Sequence, residues 1–169
     1  MKKFLCLLLY LGFVGSFIVQ AQNEKFKALF MYNFTKYIEW PVSQRTGEFV
    51  IGVLGNSPLV AELNTIASKQ KIGSQSIQVK VFSSVEEIDN CNILYLPPSK
   101  SGQISAVVNK LSGRATLIIS DKEGLASQGA GINYILDGDK LKYEVNKGSL
   151  EKRGLVVSSA LLALGIAVN

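Results

Sequence analysis

The sequence predicts a single α/β domain of three layers, Rossmann-like, with a mostly parallel sheet and an antiparallel hairpin at one edge. Three observations carry that prediction. Short apolar runs of strand length, FVIGVL, CNILYL and ATLIIS, alternate with segments of helical periodicity. Two alternating runs, INYIL and KLKYEV, flank Asp137-Gly138-Asp139, which is a hairpin signature. Once an N-terminal leader is set aside, 148 residues remain, a length suited to one core. Strands that alternate with helices pair in parallel through crossovers, and this covers the sheet on both faces.

The leader comes first in the chain. Met1-Lys2-Lys3 is a basic start, Phe4 to Val19 is an uncharged apolar run, and Val19-Gln20-Ala21 is a small-residue cleavage site before Gln22. Sixteen apolar residues fall short of the roughly 20 that span a bilayer as a helix, so residues 1–21 read as a cleaved signal peptide and 22–169 as the mature domain. Cys6 lies inside the apolar run, too far from the cleavage site to be an acylated cysteine. Export would permit disulfides, but the mature chain keeps only Cys91, so no internal bridge can form and packing alone must supply stability.

Glu24 to Trp40 reads as a helix, with Phe26, Phe30 and Phe34 stepping by four as its core face and Pro41 as its stop. FVIGVL, Phe49 to Leu54, is a buried strand, followed by Gly55-Asn56-Ser57-Pro58 and an amphipathic helix through about Ala67. SIQVKVF alternates at Ile77, Val79 and Val81 as a strand with one wetter face, and Ser83 with Glu86 has capping-box spacing for a short helix. CNILYL ends at Pro97-Pro98, Ser101 to Leu111 is a helix, and ATLIIS ends at Ser120-Asp121. After the hairpin, Gly148 to Val168 is expected to close the chain as a helix with Leu155, Ser159, Leu162 and Ile166 on one face, interrupted at Gly154.

Composition prunes the chemistry. The chain contains no His, which excludes Ser-His-Asp and Cys-His catalysis and His-based zinc sites. Without Lys2 and Lys3, 16 basic residues face 13 acidic ones, and the scattered excess of +3 argues against a nucleic-acid groove. No GxxxxGK[ST] run occurs, and Gly129-Ala130-Gly131 lacks the rest of a dinucleotide fingerprint. Ser149 and Lys152 have the spacing of a Ser/Lys nucleophile pair but lack the companion SDN and KTG motifs. Asp137 and Asp139 supply too few oxygens for calcium. No enzyme activity, cofactor or metal is expected.

Two sets of residues remain as candidates for binding. Ligands in open parallel sheets sit beyond the carboxyl ends of the strands. Those ends are Gly55-Asn56-Ser57, Ser99-Lys100-Ser101 and Ser120-Asp121. The first two precede expected helix starts, which favour a small anion, although Ser and Asn there also serve as simple caps. The second set lies on the opening helix, where Tyr32, Lys36 and Trp40 step by four along a face apart from the phenylalanines. Exposed aromatic and basic side chains have the composition of an interface hot spot; the alternative makes Trp40 a core residue.

KALFMYNFTKYIEWP, then IGVLGNSP, CNILYLP, TLIISDKEGLASQGAGINYI, LKYEVN and GLVVSSALLALG, in that order, resemble the YfiR-like family of exported bacterial proteins across nearly the whole mature chain. The resemblance implies a non-enzymatic periplasmic domain that restrains a membrane-bound diguanylate cyclase through its periplasmic sensor part, so that cyclic-di-GMP synthesis follows outside conditions. Members commonly carry disulfides that couple binding to redox state. Here Cys91 matches a family cysteine at the head of CNILYL but has no partner, so gating by an internal bridge is absent. The expected partner is therefore an inner-membrane signalling protein, either a diguanylate cyclase or a sensor kinase, with a homodimer also open. The rival reading is a periplasmic module that binds an anionic metabolite at the strand ends.

Overall fold

The computed structural model describes residues 22–138 and 140–168; the leader expected at 1–21, with Cys6, and Asp139 of the hairpin turn lie outside them. The chain runs α1 (22–34), β1 (Ile38–Glu39), β2 (Phe49–Leu54), α2 (Leu59–Ala67), β3 (Lys71–Ile72), β4 (Gln75–Phe82) and β5 (Ile93–Leu96). It continues through α3 (Ile104–Lys110), β6 (Leu117–Ser120), β7 (Ile132–Asp137), β8 (Lys140–Asn146), α4 (Lys147–Glu151), β9 (Val156–Val157), α5 (Ser159–Leu164) and β10 (Ile166–Val168).

Eight strands form one sheet in the order β10-β8-β7-β6-β5-β2-β4-β3. From β4 through β7 every neighbouring pair is parallel, as the crossovers require. The expected hairpin forms between β7 and β8, in register from Ile132 opposite Val145 to Asp137 opposite Lys140. It stands one strand in from the edge, because β10 returns to pair in parallel outside β8. A separate two-stranded ladder joins β1 to β9.

Alternation along the central strands builds two cores. Phe49, Ile51 and Val53 join Ile93, Tyr95, Leu117 and Ile119 under α1, α2 and α5. Val50, Leu94, Leu96 and Ile118 face the other way onto Ile104, Val107 and Leu111 of α3 and its approach. Gly52 belongs to this second face, where a Cβ would stand 2.6 Å from the Phe82 ring, so the ring can lie directly on the strand.

Four expectations are corrected. First, α1 ends at residue 34, not at Trp40, and a turn at 35–37 leads into β1. Second, its buried face is Ala28, Met31 and Phe34, while Phe26 is 41% exposed and Phe30 half-buried. Residues eight apart on a helix are out of phase by about 80°, so Phe26 and Phe34 cannot share a narrow contact face. Third, residues 83–90 contain no helix; the Ser83 N–H donates to Glu87 Oε2 at 3.0 Å in place of the expected capping box. Fourth, the closing segment is not one helix. Gly154 turns the chain at φ 72°, the β-branched pair Val156-Val157 enters β9, and Ser158 starts α5 by accepting from the Leu161 N–H at 3.3 Å. Of Leu155, Ser159, Leu162 and Ile166, only Leu155 is fully buried.

Candidate functional site

The end of α1 decides the fate of the expected aromatic stripe. Residues 35–37 close with i to i+3 bonds, including Lys36 N to Asn33 O at 3.0 Å and Tyr37 N to Phe34 O at 3.0 Å. The step of four therefore stops before Trp40. Trp40 is 6% exposed, its Nε1–H donates to Asn92 O at 3.1 Å, and its ring meets Phe49 edge-on at 5.0 Å. The structure thus places Trp40 in the core, away from the exposed face expected for it. Tyr32 and Lys36 do stay together: the ammonium stands 4.9 Å from the ring centroid and donates to Asn33 Oδ1 at 2.9 Å.

Lys36 also borders an apolar groove of about 390 Å³ that the sequence did not reveal. Its walls are Phe30, Phe34 and Tyr37 from α1 and the following turn, Tyr143 from β8, and Leu161 and Leu164 from α5. Tyr143 stands edge-on to Phe34 at 4.9 Å and to Phe30 at 6.0 Å, which fixes the rings as a rigid wall. Leu164 is 70% exposed at the rim.

The strand-end residues separate into those that meet and those that do not. Ser57, Ser99 and Asp121 line one cleft of about 460 Å³, with Pro58, Pro97 and Pro98 among its walls. The Ser57 hydroxyl accepts from the Leu59 N–H at 3.2 Å, a local turn contact just before α2, whose cap position is Pro58. Ser99, Lys100 and Ser101 occupy a 3₁₀ turn, Pro98–Gln103, before α3, so none of them caps that helix. Ser101 is buried, and the Lys100 chain lies across Gly55, where a Cβ would come 2.7 Å from its Cε. Asn56 is exposed, and the buried Ser120 hydroxyl donates to Asn133 Oδ1 at 2.7 Å.

At the base of the cleft lies a charged network between α1 and the end of β6. Lys27 Nζ donates to Glu24 Oε1 at 2.8 Å and to Asp121 Oδ2 at 2.5 Å. Tyr95 OH donates to the same Asp121 oxygen at 2.8 Å, and Tyr134 OH donates to Lys27 O at 2.7 Å. Burial works against the Lys27 ammonium, yet the hydrogen bonds and charges of Asp121 and Glu24 outweigh it and hold the group above its ordinary range. Burial, then the Asp121 charge, pushes the Tyr95 and Tyr134 phenols up, so both remain donors. The i, i+3 spacing of Glu24 and Lys27 was readable in the sequence; their junction with Asp121 was not. The expected anion therefore meets two carboxylates here, with the cation already engaged.

Cys91 lies at the opposite end of the strands, where it helps line a hollow of about 530 Å³. It is a free thiol, and burial pushes it up to about 12, so it is not a nucleophile at neutral pH. Ser149 lies in the first turn of α4, where its N–H donates to the Asn146 side chain at 2.8 Å, a helix-start role. Among the described residues no cluster of three or more metal-ligating side chains occurs, and no helix is long and apolar enough to cross a membrane.

Comparison with known proteins yields a family match: the family model described as YfiR/HmsC-like matches residues 24–166. No curated protein matches the chain.

Proposed function

The chain belongs to the YfiR/HmsC-like family, and on that premise we propose that it is a periplasmic regulator that binds and inhibits the extracytoplasmic sensor part of an inner-membrane signalling protein. A diguanylate cyclase is the first partner and a sensor kinase the second. The family is regulatory and non-catalytic, which agrees with a chain that lacks His. Inhibition needs no chemistry. If the regulator binds one conformation of the sensor more tightly than the other, that conformation accumulates.

The observation that carries this reading is the apolar groove between α1 and α5. Rigid rings, an exposed leucine and a bordering ammonium suit a partner segment that inserts an apolar side chain and places a carboxylate near Lys36. Tyr32 supports Lys36 from below, and Trp40 serves the surface indirectly by holding the chain after α1 in the core.

The test measures binding of the immobilised extracytoplasmic domain by wild type, Leu164→Glu and Lys36→Glu. Both positions are exposed, so folding should change by no more than about 0.5 kcal/mol. Affinity should fall at least about tenfold for Leu164→Glu. Undiminished binding by both variants would remove the groove from the interface. Cyclic-di-GMP that does not respond to deletion of the regulator would remove the cyclase as its target.

A further inference from the structure

The strand-end cleft is separate from the groove, and its charge and shape bear on a question other than partner docking. Three ionised side chains line it: Glu24, Lys27 and Asp121. One cation against two carboxylates leaves a net charge of −1. The cation is already engaged, since Lys27 bridges both acids with two of its three N–H donors. Asp121 Oδ2 also receives the Tyr95 hydroxyl. Glu24 is different. Its residue is only 7% exposed, Oε1 accepts from Lys27, and Oε2 is shielded from solvent with no hydrogen-bond partner among the described residues.

A shielded carboxylate oxygen without a donor is costly, because it has lost water and gained nothing in return. Its charge and its open lone pairs both ask for an N–H donor, preferably a charged one. The remaining walls specify what should carry that donor. Pro58, Pro97, Pro98 and the outer residue Leu136, which is 61% exposed, present apolar surface, while the Ser57 and Ser99 side chains offer neutral polar contacts. The volume, about 460 Å³, lies within the range of small-molecule sites.

We propose that this cleft binds a small organic ammonium on a compact apolar body, with the Glu24 carboxylate turning its unpaired oxygen Oε2 out to the ammonium and the body against the proline walls. An anion is the wrong sign for the site, since every cation facing it is already shared between carboxylates. Selectivity follows from the same arithmetic: a neutral analogue donates more weakly, and a carboxylate is repelled.

Three probes of nearly equal shape isolate the charge: benzylamine, benzyl alcohol and benzoate, titrated into the 22–169 protein by calorimetry at neutral pH and low salt. Benzylamine should bind saturably, benzyl alcohol at least tenfold more weakly and benzoate not at all. Glu24→Gln should weaken benzylamine at least tenfold while leaving the alcohol unchanged. Leu136→Lys adds a cation at an exposed position, so it should weaken benzylamine several-fold even if the Glu24 variant fails to fold. Binding of benzoate equal to that of benzylamine would overturn the proposal. So would benzylamine binding indifferent to both substitutions, or no binding of benzylamine by the wild type.

Discussion

Replacement of Trp40 by alanine separates packing from recognition. The indole is 6% exposed and stands edge-on to Phe49 within the core under α1 and α2. Truncation of so large a buried side chain costs about 3–5 kcal/mol through lost transfer energy and the cavity left behind. The lost hydrogen bond adds little, because Asn92 O still accepts from the Leu117 N–H at 2.8 Å and is not orphaned. For a domain of this size each kcal/mol shifts the melting temperature by about 2–4 °C, so a fall of about 6–20 °C is expected. Trp40→Phe keeps most of the buried ring and should lose much less. The assay is urea and thermal denaturation of 22–169, with partner affinity measured well below the midpoint. A Trp40→Ala protein that stays within 1 kcal/mol of wild type yet no longer binds would refute the core assignment and restore Trp40 to the interface.

Four further outcomes rest on other parts of the molecule. Lys27→Met leaves Glu24 and Asp121 facing each other without their shared cation, so it should destabilise the fold by about 3–5 kcal/mol, and a loss under 1 kcal/mol in urea unfolding would show that the network is not structural. Cys91 keeps its proton to about 12 in the folded chain against an ordinary 9.0, so the native state binds more protons above pH 9. Its contribution is full below about pH 9 and lost as pH rises toward 12; Cys91→Ala should flatten that alkaline decline, and an unchanged slope would contradict it. Native protein should also resist thiol reagents, and its melting temperature should be the same with and without reductant. Finally, mass spectrometry of the periplasmic fraction should find a chain that begins at Gln22, whereas full-length protein confined to the membrane would count against export.

The central strands were legible because their burial on both faces writes itself as unbroken apolar runs, as in FVIGVL and the ILYL of CNILYL. The hairpin was legible through its turn chemistry at Gly138, φ 60°. What the sequence hid depended on distant partners. Ile38 and Glu39 continue a helical pattern locally, yet their pairing with Val157 and Val156 draws them into a ladder. Trp40 looked exposed on a helical wheel because the wheel assumed a helix that this ladder ends. Three of the expected strand-end residues, Ser57, Ser99 and Asp121, do line one cleft, but the Glu24 and Lys27 side chains that complete its charged network come from α1. Lys27 and Asp121 are 94 positions apart, a separation over which periodicity carries no information. The groove was hidden likewise, because α5 was expected as the tail of one long helix.

The ladder between β1 and β9 has a consequence for the order in which the molecule assembles. Helix α1 and the turn after it are held by residues far along the chain: Tyr134 OH reaches Lys27 O across 107 positions, the Ser158 N–H donates to Tyr37 O at 2.9 Å, and Leu161 closes over the same core. Such long-range contacts form late, since the loop must close before any contact rewards it. A chain that emerges amino end first therefore carries Phe34 without its ring partners until Tyr134 and Tyr143 have appeared. Loss of α5 and β10 should accordingly be felt at α1: without Leu161 over the shared core, the apolar face of α1, and not the deleted segment, becomes the sticky surface.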